Sequence, residues 1–142
     1  MDLAICIILL VSGLLCPLLM LGFGLISRKH PPKTINCWYG YRTARSMKSQ
    51  AAWDFAHRYC GRLWTWLGAI LLAVSTAVLA PVFLLGGDTA GSMAAVILLG
   101  VQVAVLLGSI VPVERALKGQ FDEQGNPISK SGSDEQNSKE EP

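Results

Sequence analysis

The sequence has no charge in the three places where its apolar residues are concentrated. Asp, Glu, Lys and Arg are absent over the 24 residues from Leu3 to Ile26, the 23 from Leu63 to Leu85 and the 21 from Met93 to Val113. Each run exceeds the roughly 20 residues that a helix needs to cross about 30 Å of hydrocarbon. Because strands would leave open edges in lipid, the runs predict an all-α membrane bundle of three transmembrane helices.

The same runs also lack carboxylates, histidine and lysine, the groups that transporters and proton pumps usually place inside the membrane. We expect Gln102, one of their few polar residues, to form an interhelical hydrogen bond. Pro17 in the first run leaves a carbonyl without its helical donor, and a neighbouring helix is expected to satisfy it.

The N-terminus lacks the basic residues of a secretory signal, since only Met1 and Asp2 precede the first run. That run is also longer than a signal-peptide core, so we expect it to remain as a membrane helix. The four cysteines show no Cys-x-x-Cys pair. They favour reduced thiols over a disulfide framework.

Acidic residues are scarce in the loop Ser27 to Arg62, which has eight Lys or Arg against Asp54 alone, whereas the loop Gly86 to Ser92 contains only Asp88. The positive-inside rule places the basic loop in the cytoplasm. The membrane protein is therefore predicted to have its N-terminus outside and its C-terminus in the cytoplasm.

Helical spacing begins at about Ser49, because Trp53, Ala56, Cys60 and Trp64 fall on one stripe. This stripe predicts a cytoplasmic juxtamembrane helix that runs into the second span. We expect Trp53 to pin that helix to the bilayer.

Small residues recur every four positions in the second and third spans, a spacing that lets helix backbones approach closely. These residues predict a packed hairpin of the two spans, and homodimerisation through the Gly100 face is the alternative. The two stripes are Ala69, Ala73 and Ala77, and Gly100, Ala104 and Gly108.

Large apolar residues are almost absent from Lys118 onwards, where Gly, Ser, Glu, Lys and Asn predominate. Such a segment cannot bury enough surface to fold. We therefore predict a membrane domain over residues 1–117, with spans at about 3–26, 63–85 and 93–113, and a disordered cytoplasmic tail over residues 118–142.

Three kinds of site could explain the aromatic, basic, histidine and cysteine residues between Asn36 and Arg62. A metal site would use His30, Cys37, His57 and Cys60, but it lacks paired cysteines. Thiol catalysis by Cys37 or Cys60 with His57 lacks an orienting acid and an oxyanion hole. We therefore assign no metal, cofactor or catalytic residue.

Recognition is the third kind: a basic and aromatic surface at the bilayer face, suited to anionic headgroups or a partner protein. The alternative is that these residues only set the membrane topology: the cations keep the loop in the cytoplasm, and the aromatic rings anchor it to the bilayer. The residues concerned are Arg42, Arg45, Lys48, Arg58 and Arg62, with Trp38, Tyr39, Tyr41 and Trp53.

The loop also carries the pattern Asn36-x-x-x-Gly40-Tyr41-Arg42-Thr43, then Ser46, then Trp53-x-x-Ala56-His57-Arg58-x-x-Gly61, before a membrane helix. This pattern resembles the signature of the SdpI family of bacterial membrane immunity proteins, over about Asn36 to Leu85. The chain departs from the family at Ala44, where proline is usual, and has one helix before the signature where the namesake has more.

The resemblance implies a non-enzymatic, multi-pass immunity or signalling protein of the bacterial inner membrane. Such a protein protects against a toxic peptide or relays its presence through the loop. The implied partners, besides the lipid bilayer, are a toxic peptide or a cytoplasmic repressor protein, without direct contact to nucleic acid. The alternative is a small membrane scaffold or complex subunit that acts through its helix-packing faces. The implied signature positions are Asn36, Gly40, Tyr41, Arg42, Thr43, Ser46, Trp53, His57, Arg58 and Gly61.

Overall fold

The computed structural model describes residues 3–84 and 89–128, which form four helices. Helix α1 spans Leu3–Lys29, α2 Gln50–Leu84, α3 Thr89–Gly108 and α4 Ile110–Gln120. Within the described residues, the stretches long and apolar enough to cross a membrane are Leu3–Lys29, Gln50–Val82 and Gly91–Gln120. They confirm the predicted all-α architecture with three membrane-spanning helices. Residues 85–88, which include the predicted end of the second span, lie outside the described part.

Helix α2 is the long axis of the fold and runs without a break from Gln50 to Leu84. Ser49 caps its start, because the Ala52 N–H donates to the Ser49 Oγ over 3.1 Å. The N-terminal part of α2, up to Arg62, carries its charges, and the charge-free part from Leu63 contains the predicted second span. One continuous helix therefore contains both the charged segment and the charge-free run.

Glycines bring α1 and α2 into close antiparallel contact. A Cβ on Gly24 would lie 2.6 Å from the Thr65 nitrogen, and a Cβ on Gly68 would lie 2.7 Å from the Leu21 nitrogen. Any side chain at these positions would collide with backbone, so glycine is what allows the approach. Toward the other end of the pair, a Cβ on Gly13 would meet the Leu79 side chain at 2.6 Å.

The small-residue stripes predicted to pack α2 against α3 do not do so. Ala69, Ala73 and Ala77 are exposed, as are Gly100, Ala104 and Gly108, and a Cβ on Gly100 or Gly108 would have nothing within 4 Å. The inward face of α2 instead follows Gly68, Leu71, Ser75 and Leu79. The prediction failed because Leu71, Ser75 and Leu79 on the inward face repeat at the same four-residue spacing, two positions along the helix from the alanines.

A buried polar contact ties the three spans together at Gln102. Its Nε2 donates to the Gly13 carbonyl and to the Ser75 Oγ, each over 2.7 Å. Gly13 lies four residues before Pro17, so its carbonyl is the one that proline deprives of a helical donor. The predicted interhelical hydrogen bond of Gln102 is therefore confirmed. The Gln102 Oε1 is buried, and no partner for it is found among the described residues.

The ordered chain continues past residue 117, where the predicted tail was to begin. Helix α4 ends at Gln120, Phe121 is buried, and a turn closed by an isolated bridge between Phe121 and Pro127 folds the chain back. Val113, Leu117 and Phe121 lie four apart and pack against α2, which supplies the burial that the composition did not predict. Residues 129–142, the rest of the predicted tail, lie outside the described part.

Candidate functional site

The connecting loop, residues 30–49 between α1 and α2, contains most of the signature positions. It leaves α1 through Pro31 and Pro32, and the Pro32 carbonyl accepts a hydrogen bond from the Trp53 Nε1–H over 3.0 Å. Trp53 is 0% exposed. The prediction that Trp53 pins the helix to the bilayer is therefore wrong: its indole fastens the loop to α2, because a buried Trp N–H needs an acceptor.

Asn36 organises the first turn of the connecting loop. Its Oδ1 accepts the N–H groups of Trp38 and Tyr39 over 3.1 and 3.0 Å, and its Nδ2 donates to the Thr34 carbonyl. This side chain replaces backbone partners in the turn. The turn directs the two aromatic rings outward, so that Trp38 is 91% exposed and Tyr39 61% exposed.

Gly40 closes the loop onto His57. Its φ of +113° is in the left-handed region, which glycine tolerates at little cost. A Cβ there would lie 2.4 Å from the His57 Nε2 and 3.4 Å from the Trp53 ring. Glycine is thus required twice, once for the backbone angle and once for space.

His57 is a structural acceptor for the loop. The Tyr41 N–H donates to its Nε2 over 2.9 Å, and its Nδ1 lies 2.8 Å from the Trp53 carbonyl, to which the Nδ1–H donates. Both nitrogens are therefore engaged in the neutral tautomer. Burial lowers the pKa of His57, although the hydrogen bond to the Trp53 carbonyl and the charge of Asp54 act in the opposite direction.

This geometry bears on the two chemical hypotheses for the loop. A metal ion or a thiol could use His57 only by displacing the Tyr41 N–H or the Trp53 carbonyl. Cys60 is fully buried in the hydrophobic cluster under the loop, whereas Cys37 is exposed. Within residues 3–84 and 89–128, no three His, Cys, Asp or Glu side chains are grouped as a metal site.

Tyr41 joins the connecting loop to α4. Its ring is buried in the cluster that contains Ala56, Val113 and Leu117. Its hydroxyl donates to the Glu114 Oε1 over 3.1 Å. Burial raises the pKa of Tyr41, and the neighbouring Glu114 carboxylate raises it further. The phenol is therefore a neutral donor that fixes the loop across the bundle.

Thr43 and Ser46 form a reciprocal turn after Tyr41. The Thr43 N–H donates to the Ser46 Oγ over 3.0 Å, and the Ser46 N–H donates to the Thr43 Oγ1 over 3.3 Å. The Ser46 hydroxyl donates in turn to the Tyr41 carbonyl over 2.8 Å. Ser46 is fully buried, so these two signature residues hold the backbone around Arg42.

The predicted signature residues divide into a scaffold and an exposed set. Asn36, Gly40, Tyr41, Thr43, Ser46, Trp53, His57 and Gly61 make turns, hydrogen bonds or close helix contacts inside the protein. Arg42 and Arg58 are exposed, together with Trp38 and Tyr39. Tyr41 and Trp53, which we expected in the recognition surface, are absent from it because they are buried.

Three contributors to the site were not predicted. Glu114 accepts the Tyr41 hydroxyl from 73 residues away, and the Ser109 Oγ accepts the Trp64 indole N–H over 2.9 Å. The turn after α4 holds the end of the loop, because the Lys48 Nζ donates to the Glu123 carbonyl and the Ser49 Oγ donates to the Gly125 carbonyl. The four-residue spacing of Val113, Leu117 and Phe121 was the sequence signal that could have located this turn.

Comparison with known proteins gives matches over this same region. The sequence model of the SdpI/YfhL protein family matches residues 33–113. A relative, the uncharacterized protein YfhL of Bacillus subtilis (strain 168), is 36% identical over 75 residues, which are 53% of this chain and 68% of that protein. No solved structure matches significantly.

Proposed function

The chain belongs to the SdpI/YfhL protein family, and we propose on this basis that it is a non-enzymatic membrane protein of immunity or signalling. In this proposal it protects a bacterial cell against a toxic peptide, or relays the presence of that peptide to a cytoplasmic repressor. The exposed side chains of the connecting loop make the recognition contact. Catalysis, metal and cofactor have no part in it.

The observation that supports this proposal is that buried signature residues hold the loop while other side chains of the loop are exposed. Seven signature positions hold one backbone conformation of the loop, with hydrogen bonds from Trp53 to Pro32 and from Tyr41 to His57. The eighth, Gly61, packs α2 against α1. Arg42, Trp38 and Tyr39 project from this scaffold into the surroundings. Cations that only set membrane topology do not require a loop held by so many hydrogen bonds. A binding surface does benefit from them, because a preorganised surface lowers the entropic cost of binding.

Arg42 is the residue on which we place recognition. A guanidinium can bind a carboxylate, a phosphate or a peptide backbone through two parallel hydrogen bonds, and lysine cannot. Arg42→Lys should therefore impair protection or repressor recruitment although it keeps the charge and the protein level. Arg115→Lys, the same change at an exposed arginine of α4, is the matched control and should be silent. Equal activity of both variants would remove Arg42 from the mechanism.

Membrane orientation is part of the proposal. The basic loop lies in the cytoplasm by the positive-inside rule, with the N-terminus outside. Cys37 is an exposed thiol in this loop and serves as a native probe. A membrane-impermeant maleimide should label it in inverted vesicles and spare it in intact spheroplasts, and a Cys37→Ser variant identifies the signal. Labelling of Cys37 in intact spheroplasts would reverse the orientation.

A scaffold or complex subunit is the second candidate function. It is favoured by the exposed small-residue stripes of α2 and α3, whose faces leave room for another helix. In that case Ala73→Leu or Ala104→Leu should impair function more than Arg42→Lys. The order of these effects in the same protection assay distinguishes the two candidates.

A further inference from the structure

A cleft of about 430 Å³ opens between α2 and α4, apart from the exposed Arg42 surface. Arg58 and Arg62 lie four residues apart on the α2 side, and Gly119 and Gln120 line the α4 side. None of the described residues that line it is acidic. Two guanidinium groups therefore share one cavity without a carboxylate from its own walls.

The cleft lies at the depth of lipid headgroups. Arg62 immediately precedes the charge-free run that begins at Leu63. At about 1.5 Å per helical residue, Arg62 is about 1.5 Å and Arg58 about 7.5 Å outside the hydrocarbon. The headgroup layer on each side of a bilayer is about 5–8 Å thick. On α4 the apolar run ends at Val113, so Gly119 and Gln120 are about 9 and 10.5 Å outside the hydrocarbon, just beyond that layer.

The remaining walls suit a lipid as well. Phe55 and Tyr59 line the cleft, with their rings stacked at a centroid distance of 5.9 Å, and Phe121 packs against Phe55 from behind at 5.7 Å. They provide an apolar and aromatic wall beside the two cations. Tyr59 is 37% exposed, and its hydroxyl adds a neutral donor.

We propose that this cleft binds the phosphodiester headgroup of an anionic phospholipid from the leaflet on the loop side, with Arg58 and Arg62 as its ligands. Guanidinium groups bind phosphate through paired hydrogen bonds. A headgroup with a quaternary ammonium is disfavoured, because its positive charge would enter a cavity that already holds two cations. Arg58 also borders a smaller cleft with Lys33 and Asp54, so Arg62 is the more specific ligand.

The test is lipid binding to the purified full-length chain, measured by native mass spectrometry after delipidation, with phosphatidylglycerol and phosphatidylcholine as probes. The wild type should prefer phosphatidylglycerol, and Arg58→Gln/Arg62→Gln should weaken that binding at least about tenfold through lost charge-assisted hydrogen bonds. Lys29→Gln removes one cation from the exposed end of α1, at the same end of the bundle but outside the cleft, and should bind like the wild type.

A second variant fills the cleft without changing its charge. A Cβ on Gly119 would have nothing within 4 Å, so Gly119→Leu is accommodated in α4 and should block the lipid while circular dichroism stays unchanged. Wild-type binding by both cleft variants would overturn the proposal, and so would an equal loss in Lys29→Gln.

Two further binding measurements test whether something other than a lipid occupies the cleft. Inorganic phosphate alone should not displace the lipid; full displacement would make the cleft a free-phosphate site and overturn the lipid assignment. A full-length variant with Asp134, Glu135, Glu140 and Glu141 changed to their amides should bind phosphatidylglycerol as the wild type does. Much tighter binding by that variant would show that the segment carrying these four carboxylates competes for the cleft, which also contradicts the proposal.

Discussion

Replacing Gly40 by alanine should detach the connecting loop from α2 while the membrane helices stay folded. A non-glycine residue held in a sparsely populated backbone region costs about 1–3 kcal/mol, and φ at Gly40 is +113°. The new Cβ would lie 2.4 Å from the His57 Nε2, so His57 must move and the bond from the Tyr41 N–H is lost, at about 1 kcal/mol. The local loss is therefore about 2–4 kcal/mol.

Hydrogen exchange of the Tyr41 amide measures this loss directly, because that amide donates to His57. At about 1.4 kcal/mol per tenfold, its protection factor should fall by about 30- to 700-fold, while amides inside α1 and α2 keep theirs. Gly22→Ala is the matched control, since a Cβ at Gly22 would have nothing within 4 Å and alanine favours the helix. Unchanged Tyr41 protection in Gly40→Ala would refute the account of the loop.

Two further predictions concern His57 and Gln102. The pKa of His57 is lowered from its ordinary 6.5 in the folded protein, so loop stability should be complete above about pH 6.5 and decline as the pH falls below it. The Tyr41 protection factor, measured against pH, should show this decline. In His57→Gln the protection factor should no longer depend on pH in this range. Gln102→Leu should destabilise the bundle by about 1 kcal/mol in detergent unfolding, since it unpairs the Gly13 carbonyl. Pro17→Ala restores a helical donor to that carbonyl, so the double variant should lose less than Gln102→Leu alone, and strict additivity would contradict this assignment.

The membrane architecture could be predicted from the sequence because lipid imposes a simple rule on charge. Uncharged apolar runs of about 20 residues can cross a bilayer as helices, which satisfy their own backbone hydrogen bonds, and all three runs lie in helices of the structure. Gln102 was predictable for the same reason, since a polar group in hydrocarbon needs a partner. Its partners Gly13 and Ser75 were not, because they depend on the rotation of each helix about its axis.

The spacing of small residues in the sequence did not determine which face of α2 packs against a neighbouring helix. Small residues occur on the exposed stripe of α2, with Ala69, Ala73 and Ala77, as well as on the face that meets α1, with Gly61 and Gly68. What distinguishes the true contact is that Gly24 and Gly68 lie against backbone atoms at 2.6–2.7 Å from a would-be Cβ. That distance depends on how the two helices pack against each other, so the sequence of either helix alone does not indicate it.

Within the segment that carries the candidate site, Trp53 and Tyr41 have a different structural role from the predicted one. Trp53 and Tyr41 have an apolar body and a polar tip, which suits either a membrane interface or a buried position with a partner. The partners that decide between these, the Pro32 carbonyl and Glu114, are 21 and 73 residues away. Sequence reasoning about the local segment could not locate them.

Crosslinking from Trp38, an exposed residue of the same loop, tests whether the loop presents Arg42 for recognition. A photoreactive residue at position 38, which is 91% exposed in the wild type, should capture a specific toxic peptide or repressor protein in cells challenged with candidate peptides. That product should disappear in Arg42→Lys and persist in Arg115→Lys. Crosslinks to lipid alone would contradict a recognition role of Arg42. The same protein product with Arg42 intact, in Arg42→Lys and in Arg115→Lys would contradict it as well.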